Sequence, residues 1–387
     1  MFKRFINKFF TLEKGFYQKS VDCYFDRDIE KDIGFFQRLH PRNDFSRSIA
    51  QHKCQTYHCK KNVFLLNCMA VFMTPVVLLM LIMKKRPLVV DDRTTVVCYK
   101  CFNTPGSLPL ALSDKNISYI SSSVDTPSFL RKADIPFLFR FFFRSFFHSF
   151  LSFRVMLKVA KYRAILDSFS HLEAIAITGE FTDTSSVMTQ YCHERGIKHY
   201  NFMQGEAFGS PRVSFFRFDK CFVWDQHYVD MFTSLGAPSE QFVVSLPRCL
   251  QKIKNDGLEK TIDYTYYLGG DADEELSVIK KALDTLVSKG YVCEVRPHPK
   301  WSNMETIRKE FCGISIQDAT AVNIDKSILQ TKNAISLYST VLLQAFFNDV
   351  NVVIDDLSSP DKYNMLEKYQ YIMLDKPHEL LSEITNN

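Results

Sequence analysis

Residues 264–299 read YTYYLGGDADEELSVIKKALDTLVSKGYVCEVRPHP and contain two short apolar runs separated by a longer segment. Tyr264–Leu268 and Val292–Arg296 are short enough for strands and rich in aromatic and β-branched residues. Between them, the apolar residues of Glu274–Lys289 follow a helical period. A strand, a helix and a strand in this order predict two parallel strands joined by a crossover helix.

The same alternation extends in both directions from this segment. A polar linker at Gln251–Asp263 separates it from an earlier series that begins near Thr94. We therefore predict an α/β protein with two tandem Rossmann-like domains, residues 94–250 and 251–387, preceded by an N-terminal helical region, residues 1–93. The earlier series predicts strands at Thr95–Cys101, Ala174–Thr178, Lys198–Met203, Lys220–Trp224 and Gln241–Ser245 and helices at Ser185–Arg195 and Gln226–Leu235; the later series adds strands at Asn333–Ser336 and Asn351–Ile354 and a helix at Thr340–Phe347.

The charge of the chain is divided unevenly along its length. The 387 residues carry 48 Lys and Arg against 43 Asp and Glu, a net charge of +5. Residues 1–163 hold 27 basic and 12 acidic residues, a net +15, and residues 164–387 hold 21 and 31, a net −10. A basic, Phe-rich half fits an anionic membrane surface or nucleic acid, and no known nucleic-acid motif accompanies it. We therefore expect a membrane partner and no nucleic acid.

Two segments could contact that membrane. Val63–Met83 has no charged residue, contains Pro75 and is flanked by basic residues at both ends. It could span the bilayer, insert as an interfacial hairpin kinked at Pro75, or form a buried core helix, and interfacial insertion is favoured over full spanning. Residues 131–163 predict a basic, Phe-rich helix in the headgroup plane, with Arg140 and Arg144 one turn apart; the alternative is a helix packed on its own domain.

Three carboxylates of the first domain follow predicted strands. Glu180 and Asp183 lie in the loop Gly179–Ser186, and Glu206 lies in the loop Gln204–Pro211. Ligands of doubly wound sheets bind beyond the carboxyl ends of the strands. All three carboxylates therefore lie where a parallel sheet presents its site.

The second domain has polar residues at the ends of three predicted strands. Phosphate suits all three positions, because glycines permit close backbone approach, a helix start offers free N–H groups, and a histidine can donate a hydrogen bond. The sequence therefore predicts a nucleotide site in this domain. Its residues are Gly269 and Gly270 after the first strand, Arg296, His298 and Pro299 after the second, and Ser336, Ser339 and Thr340 after the third.

These motifs together resemble the bacterial GT-B glycosyltransferases of surface polysaccharide synthesis. The Arg-Pro-His-Pro segment at Arg296–Pro299 and the Ser-Leu-Tyr-Ser-Thr segment at Ser336–Thr340 are most similar to the His-Pro and serine motifs of sialyltransferases of the lipooligosaccharide and polysialic acid type. Related Kdo transferases and teichoic-acid polymerases carry similar elements. The resemblance covers about Thr94 to Asp356.

The resemblance implies a donor and a base. In those sialyltransferases the two motifs bind CMP, and an acidic-Gly motif in the first domain supplies the general base. Gln204-Gly205-Glu206 stands where that motif would fall, but its order is Gly-Glu, which keeps Glu180 and Asp183 as alternatives. Many UDP-sugar enzymes of this fold have a ribose-binding Glu where Gln344 stands here, so a UDP donor is less favoured.

The resemblance also implies the reaction and its place. We expect inverting transfer of sialic acid from CMP-sialic acid to a lipid-linked oligosaccharide at the cytoplasmic face of the bacterial inner membrane, without a metal or another cofactor. Asp271-Ala272-Asp273 has the letters of a metal motif but is typical of an acidic first helical turn. The alternatives are a Kdo, other sugar or polyol-phosphate transferase, and a non-catalytic component of polysaccharide assembly.

Overall fold

The computed structural model describes Thr11 and residues 29–84, 93–99, 106–120, 128–255 and 257–386. Helices and strands alternate from residue 96 onward. The helices are α1 (Ile29–Phe36), α2 (Asp44–Thr56), α3 (Lys60–Met83), α4 (Ile135–Arg144), α5 (Ser149–Ser168), α6 (Ser185–His193), α7 (Gln226–Ser234), α8 (Asp273–Ser288), α9 (Met304–Glu310), α10 (Ile324–Gln330), α11 (Thr340–Phe347), α12 (Pro360–Lys368) and α13 (Leu381–Asn386). The strands are β1 (Val96–Tyr99), β2 (Ile117–Ile120), β3 (Ala174–Thr178), β4 (Lys198–Phe202), β5 (Lys220–Val223), β6 (Phe242–Val244), β7 (Ile262–Tyr267), β8 (Cys293–Arg296), β9 (Ser315–Ile316), β10 (Thr331–Ser336), β11 (Asn351–Ile354) and β12 (Glu379–Leu380).

The first sheet has six parallel strands in the order β2-β1-β3-β4-β5-β6. All four residues of β1 and the first four of β3 are buried, as expected for central parallel strands covered on both faces. The chain order reverses between β1 and β3, because β2 lies on one side of β1 and β3 on the other. Ligand crevices of open parallel sheets form at such a reversal.

The second sheet also has six parallel strands, in the order β12-β11-β10-β7-β8-β9. Its reversal lies between β7 and β10, and its core includes Val295, Ile335 and Val353 on neighbouring strands. Two parallel sheets of this kind confirm the prediction of two tandem Rossmann-like domains, the pair that the GT-B resemblance implies.

The chain forms two compact units. The first comprises Met1–Gln204 and Gly209–Leu246, and the second comprises Gly205–Phe208 and Pro247–Asn387. The helices before β1 thus belong to the first unit rather than to a separate region. Ser48 of α2 illustrates the reason, because its hydroxyl accepts a hydrogen bond from the backbone N–H of Val187 in α6, and both residues are buried.

Helix α3 coincides with the predicted hydrophobic segment. Within the described residues it is the one helix long and apolar enough to cross a membrane. A single stripe of the helix is buried, from Val63 to Leu81, and most of the remaining surface is exposed. The outer face of α3 is therefore not covered by the domain, and the interpretation of this segment as a fully buried core helix is wrong.

The predicted basic helix over residues 131–163 is not one helix. It breaks between α4 and α5 at Ser145, whose hydroxyl donates to the carbonyl of Phe141 within α4. Beyond the break the chain follows the alternative, a helix packed on its own domain. Phe150 and Phe153 are buried in the domain core, and Arg154 and Lys158 form ion pairs with carboxylates of the first unit.

Candidate functional site

Three loops of the second unit meet at one edge of its sheet. Strands β10, β7 and β8 are neighbours, so the segments that follow Ser336, Tyr267 and Arg296 emerge side by side at their carboxyl ends. The reversal of chain order lies between two of these strands, β7 and β10. The nucleotide-binding residues predicted from three separate motifs therefore border the position where Rossmann-like sheets bind ligands.

Ser302 links two of these loops directly. Its hydroxyl donates to the carbonyl of Gly269 at 3.1 Å and accepts from the backbone N–H of His298 at 2.8 Å. A side chain at Gly270 would lie in ordinary contact with Trp301, 3.7 Å from its Cβ. The Gly-Gly loop and the His-Pro loop thus form one connected structure.

His298 is oriented by the backbone of its own loop. Its Nδ1 accepts hydrogen bonds from the N–H groups of Lys300 and Trp301, at 3.1 and 3.2 Å. Burial, and then the charge of Lys300, lower the pKa of His298 below its ordinary value. At neutral pH the ring is therefore neutral with its proton on Nε2, which leaves Nε2–H as a hydrogen-bond donor.

The third loop ends in the start of α11. Ser339 caps this helix, and its hydroxyl accepts from the N–H of Val341. The phenol of Tyr371 accepts from the N–H of Ser339 at 3.3 Å and fixes the turn. Thr340 is the first residue of the helix, where free N–H groups and the helix dipole favour an anion.

Two predicted nucleotide-binding residues serve the scaffold instead. Arg296 is buried, and its guanidinium donates to Gln317 Oε1 at 2.5 Å and to the carbonyl of Val322 at 2.8 Å. Ser336 is also buried, and its hydroxyl donates to the carbonyl of Tyr267 at 3.0 Å, which joins β10 to β7. Pro299 lies exposed in the His-Pro loop.

In the first unit, Glu180 lies at the reversal of the sheet. It follows β3, and its N–H donates to Asn201 Oδ1 at 3.1 Å. Burial, and then the Glu180 charge, raise the pKa of Tyr99 at the end of β1. Lys158 forms an ion pair with the Glu180 carboxylate, which is 11% exposed.

Asp183 occupies a different environment although it lies three residues further on. Its side chain is 1% exposed, and both of its oxygens lie 2.8 Å from Nη1 of Arg154. His52 of α2 also lies 2.8 Å from Asp183 through Nδ1. A carboxylate enclosed in this way cannot reach an acceptor hydroxyl, so the structure removes Asp183 from the candidates for the general base.

Glu206 lies in the short segment Gly205–Phe208 that belongs to the second unit. The ring of Phe208 contacts Tyr338, Tyr369 and Tyr371, with centroids 5.7, 6.3 and 5.9 Å away. Burial, and then the charge of Glu206, raise the pKa of Tyr371 well above its ordinary value. The segment that carries Glu206 therefore packs, through Phe208, against the tyrosine that binds the N–H of Ser339.

Sequence reasoning missed three residues of this arrangement: Ser302, Tyr371 and Lys158. Ser302 follows the His-Pro motif by three residues, which was the available signal. Tyr371 comes from a position distant in the chain and gave no local signal. Lys158 lies in the predicted basic helix over residues 131–163, but its spacing gave no sign of its partner Glu180. Among the described residues, no group of three or more His, Cys, Asp or Glu could hold a metal ion.

Comparison with known proteins gives matches to solved structures alone. No family model matches the sequence, and no curated protein is significantly similar to it. TagF, a wall teichoic acid polymerase, matches with a TM-score of 0.42 at 10% identity over 89% of this chain and 88% of that chain. The S. aureus MnaA–UDP co-structure matches with a TM-score of 0.43 at 11% identity over 70% and 82% of the two chains.

TarM matches with a TM-score of 0.37 at 10% identity over 60% of this chain, which spans 50% of TarM. All three TM-scores lie below 0.5. The fold assignment therefore rests on the topology of the two sheets rather than on these matches.

Proposed function

We propose that the chain is an inverting glycosyltransferase that uses a nucleotide sugar and no metal. The observation that carries the proposal is the convergence of the Gly-Gly, His-Pro and serine loops at the reversal of the second sheet. The His-Pro loop offers His298 Nε2–H to this edge, and the serine loop offers the N–H groups at the start of α11. Such a set of donors suits the phosphate of a nucleotide.

The donor that we propose is CMP-sialic acid. The His-Pro and serine motifs support a CMP donor through the resemblance to sialyltransferases. Gln344, at the position where UDP-sugar enzymes have a ribose-binding Glu, is buried and donates to Asp325 Oδ1 at 3.0 Å. Its amide is thus engaged within the domain, which gives no support for a UDP donor.

In the proposed reaction an acceptor hydroxyl oxygen attacks the anomeric carbon of the sugar as the bond to the CMP phosphate breaks. A carboxylate takes the hydroxyl proton, and the departing phosphate accepts hydrogen bonds from His298 Nε2–H and the start of α11. Glu206 is the first candidate for the base because its segment packs, through Phe208, against Tyr338 of the serine loop and against Tyr371. Glu180, held by Lys158, is the second.

The acceptor that we propose is a lipid-linked oligosaccharide at the cytoplasmic face of the bacterial inner membrane. The basic first 163 residues and the exposed apolar face of α3 support a membrane location. A lipid-linked acceptor would explain why a protein with two Rossmann-like domains also has an apolar surface.

A thermal-shift comparison of CMP, CDP, UDP and GDP tests the donor. We expect the largest stabilisation with CMP, and its loss in His298→Ala. His378→Ala is the matched control, because His378 precedes the edge strand β12 and bonds only to the carbonyl of Lys376 among the described contacts. A chain that responds to none of the four nucleotides would contradict the proposed function.

Paired amide variants test the base. We expect Glu206→Gln to lower transfer from CMP-sialic acid by about 10²- to 10⁴-fold while CMP still binds, because a general base contributes to the rate and not to donor affinity. If Glu206→Gln remains active and Glu180→Gln is inactive, the base is Glu180.

A further inference from the structure

The outer face of α3 is apolar along the length of the helix. Phe64, Phe72 and Met83 are 71, 73 and 79% exposed, and Val71, Leu79 and Met80 are more than half exposed. The opposite face, which carries Leu66, Ala70 and Met73, is buried. A helix of a soluble domain has a polar outer face, so the exposed face of α3 requires an apolar partner.

Helix α3 is attached lengthwise to α5. Near the start of both helices, Asn67 Oδ1 accepts from the N–H of Phe150 at 2.8 Å. Near the end of α3, the carbonyl of Leu81 accepts from the N–H of Leu130, and the adjacent Phe129 donates its N–H to the carbonyl of Ala160 in α5. The two helices therefore run side by side over about 20 Å, at about 1.5 Å per residue.

Helix α5 cannot enter the hydrocarbon of a bilayer. Its basic residues Arg154, Lys158 and Arg163 pair with Asp183, Glu180 and Asp134, each on or beside the folded domain core. Because α3 runs alongside α5, a transmembrane α3 would draw these ion pairs and the attached domain into the membrane. Charged groups are costly there. A spanning orientation is thus incompatible with the packing of α3.

Helix α4 presents a second apolar surface, and the turn after it leads to Phe150, whose N–H binds Asn67 of α3. Phe139 and Phe143 are 61 and 87% exposed, and Phe146 and Phe147 follow in the turn that leads to Phe150. At about 100° per residue, Phe139 and Phe143 point away from the buried Phe137, Leu138 and Phe141, and Arg140 and Arg144 lie on the flank between. Aromatic rings at the tip and arginines at the flank match the order of acyl chains and headgroups in a leaflet.

A cavity of about 240 Å³ opens beside these arginines. Its lining includes Arg140, Arg144, Asp44, Phe45 and Glu194. Arg140 pairs with Glu194 at 2.5 Å, and Asp44 pairs with Arg217, which neutralises both carboxylates.

The remaining cation is Arg144. Among the described residues, its guanidinium lies over the Phe45 ring, 5.1 Å from the ring centroid. It has no carboxylate partner among those residues.

We propose that the outer face of α3 and the Phe-rich tip of α4 form one docking surface that lies in the plane of an anionic leaflet, and that the cavity at Arg144 binds a phospholipid phosphate. The occupant is a lipid because the surface is apolar and the cavity offers one cation, Arg144, that has no carboxylate partner among the described residues and follows exposed Phe143 in the chain. This inference deepens the membrane part of the proposed function and is independent of the donor site.

Vesicle flotation of the full-length chain, synthesised in the presence of vesicles, tests the surface. We expect binding to phosphatidylcholine vesicles to increase when phosphatidylglycerol is included. Arg144→Glu should weaken this binding by about tenfold or more, since each basic residue near an anionic surface contributes about 1 kcal/mol and the reversal adds a repulsion. Lys220→Glu, the same charge change at the exposed start of β5, is the control and should bind like the wild type.

Fluorescence quenching by lipids brominated at defined depths tests the orientation. In Phe72→Trp the new indole lies at the middle of α3, and the wild type gives the background of the two native Trp residues. An in-plane helix predicts strongest quenching by bromines near the headgroups. Strongest quenching by bromines at the chain ends would overturn the in-plane orientation.

Three further outcomes would overturn the docking surface. One is equal binding of wild type and Arg144→Glu to anionic vesicles. Another is stabilisation of the wild type by inorganic phosphate together with no binding to vesicles, which would make the cavity a site for a free anion. The third is a lipid-free dimer that Phe143→Asp dissociates, which would make this face an interface between two copies.

Failure of this inference is distinguishable from failure of the proposed function. The thermal shift with CMP uses no lipid, so a chain that binds CMP but not vesicles retains the donor site and loses the docking surface. A chain that binds vesicles but no nucleotide gives the reverse result.

Discussion

Asp183→Asn distinguishes a structural carboxylate from a catalytic one. The carboxylate is buried and accepts from Arg154 and His52 at 2.8 Å. Removing one partner of a buried ion pair typically costs about 3–5 kcal/mol, because the other charge remains unpaired. Asn retains one acceptor oxygen, so we expect the lower end, a loss of about 3 kcal/mol in the free energy of unfolding.

Urea denaturation followed by circular dichroism measures this loss. Asp230→Asn is the control, because Asp230 is exposed and accepts only from Gln226 among the described contacts; we expect a change within about 0.5 kcal/mol. Transfer activity per folded molecule should stay close to that of the wild type. An Asp183→Asn protein as stable as the wild type but about a hundredfold less active would refute the structural role and restore Asp183 as a base.

The same variant has a predicted pH dependence. Burial raises the pKa of Asp183. Arg154 and His52 together lower it by more than burial raises it, so the pKa lies below its ordinary value. The pKa of this carboxyl is lower in the folded state than in the unfolded state, where it is about 3.9. The ionised carboxylate therefore stabilises the fold at pH values above about 3.9, and this stabilisation is lost as the pH falls through the folded pKa. The difference in stability between wild type and Asp183→Asn should therefore narrow below about pH 4.

Three further predictions concern other positions. Ser302→Ala should weaken CMP binding by about five- to thirtyfold, because one bridging hydroxyl is worth about 1–2 kcal/mol. Calorimetry should find the CMP affinity unchanged in Ser288→Ala, a change at an exposed serine of α8. Arg296→Lys should lower the urea midpoint without changing the CMP affinity of the folded protein, because the guanidinium bonds to Gln317 and Val322; a loss of affinity at unchanged stability would contradict this. Burial, and then the charges of His52 and Lys53, lower the pKa of His148 to about 4. Between about pH 6.5 and 4 the folded state therefore binds fewer protons than the unfolded state, and the protein loses stability as the pH falls through that range. His148→Gln should show a shallower loss in urea titrations across the same range, and an unchanged slope would exclude His148 as the cause.

The sequence was sufficient for the central strands and for the order of the loops. Residues 174–177 and 352–354 are continuous apolar runs in strands that have a neighbour on each side, where burial on both faces demands such residues. Strands β9 and β12 contain two residues each and carry no period that a pattern could detect. Those edge strands follow from pairing with a neighbour, which is a property of the folded sheet.

The roles of charged residues were the part that the sequence could not give. Glu180 and Asp183 lie in the same loop, yet His52, 131 positions away from Asp183, helps to enclose one of them. Arg154 and Lys158 have the spacing of a lipid-facing helix, but their partners Asp183 and Glu180 come from a later part of the chain. Local spacing predicts which residues share a helix face and not which surface covers that face.

The second compact unit is not continuous in the sequence. A fragment of residues 247–387 would contain every strand of the second sheet and all three nucleotide-site loops. It would lack Phe208, and the rings of Tyr338, Tyr369 and Tyr371 would lose the aromatic contact that Phe208 provides. A second unit expressed alone therefore has to include Gly205–Phe208, for example as an N-terminal extension. A cut at the linker alone would expose the aromatic rings of Tyr338, Tyr369 and Tyr371 beside the start of α11, and exposed rings of this kind favour aggregation.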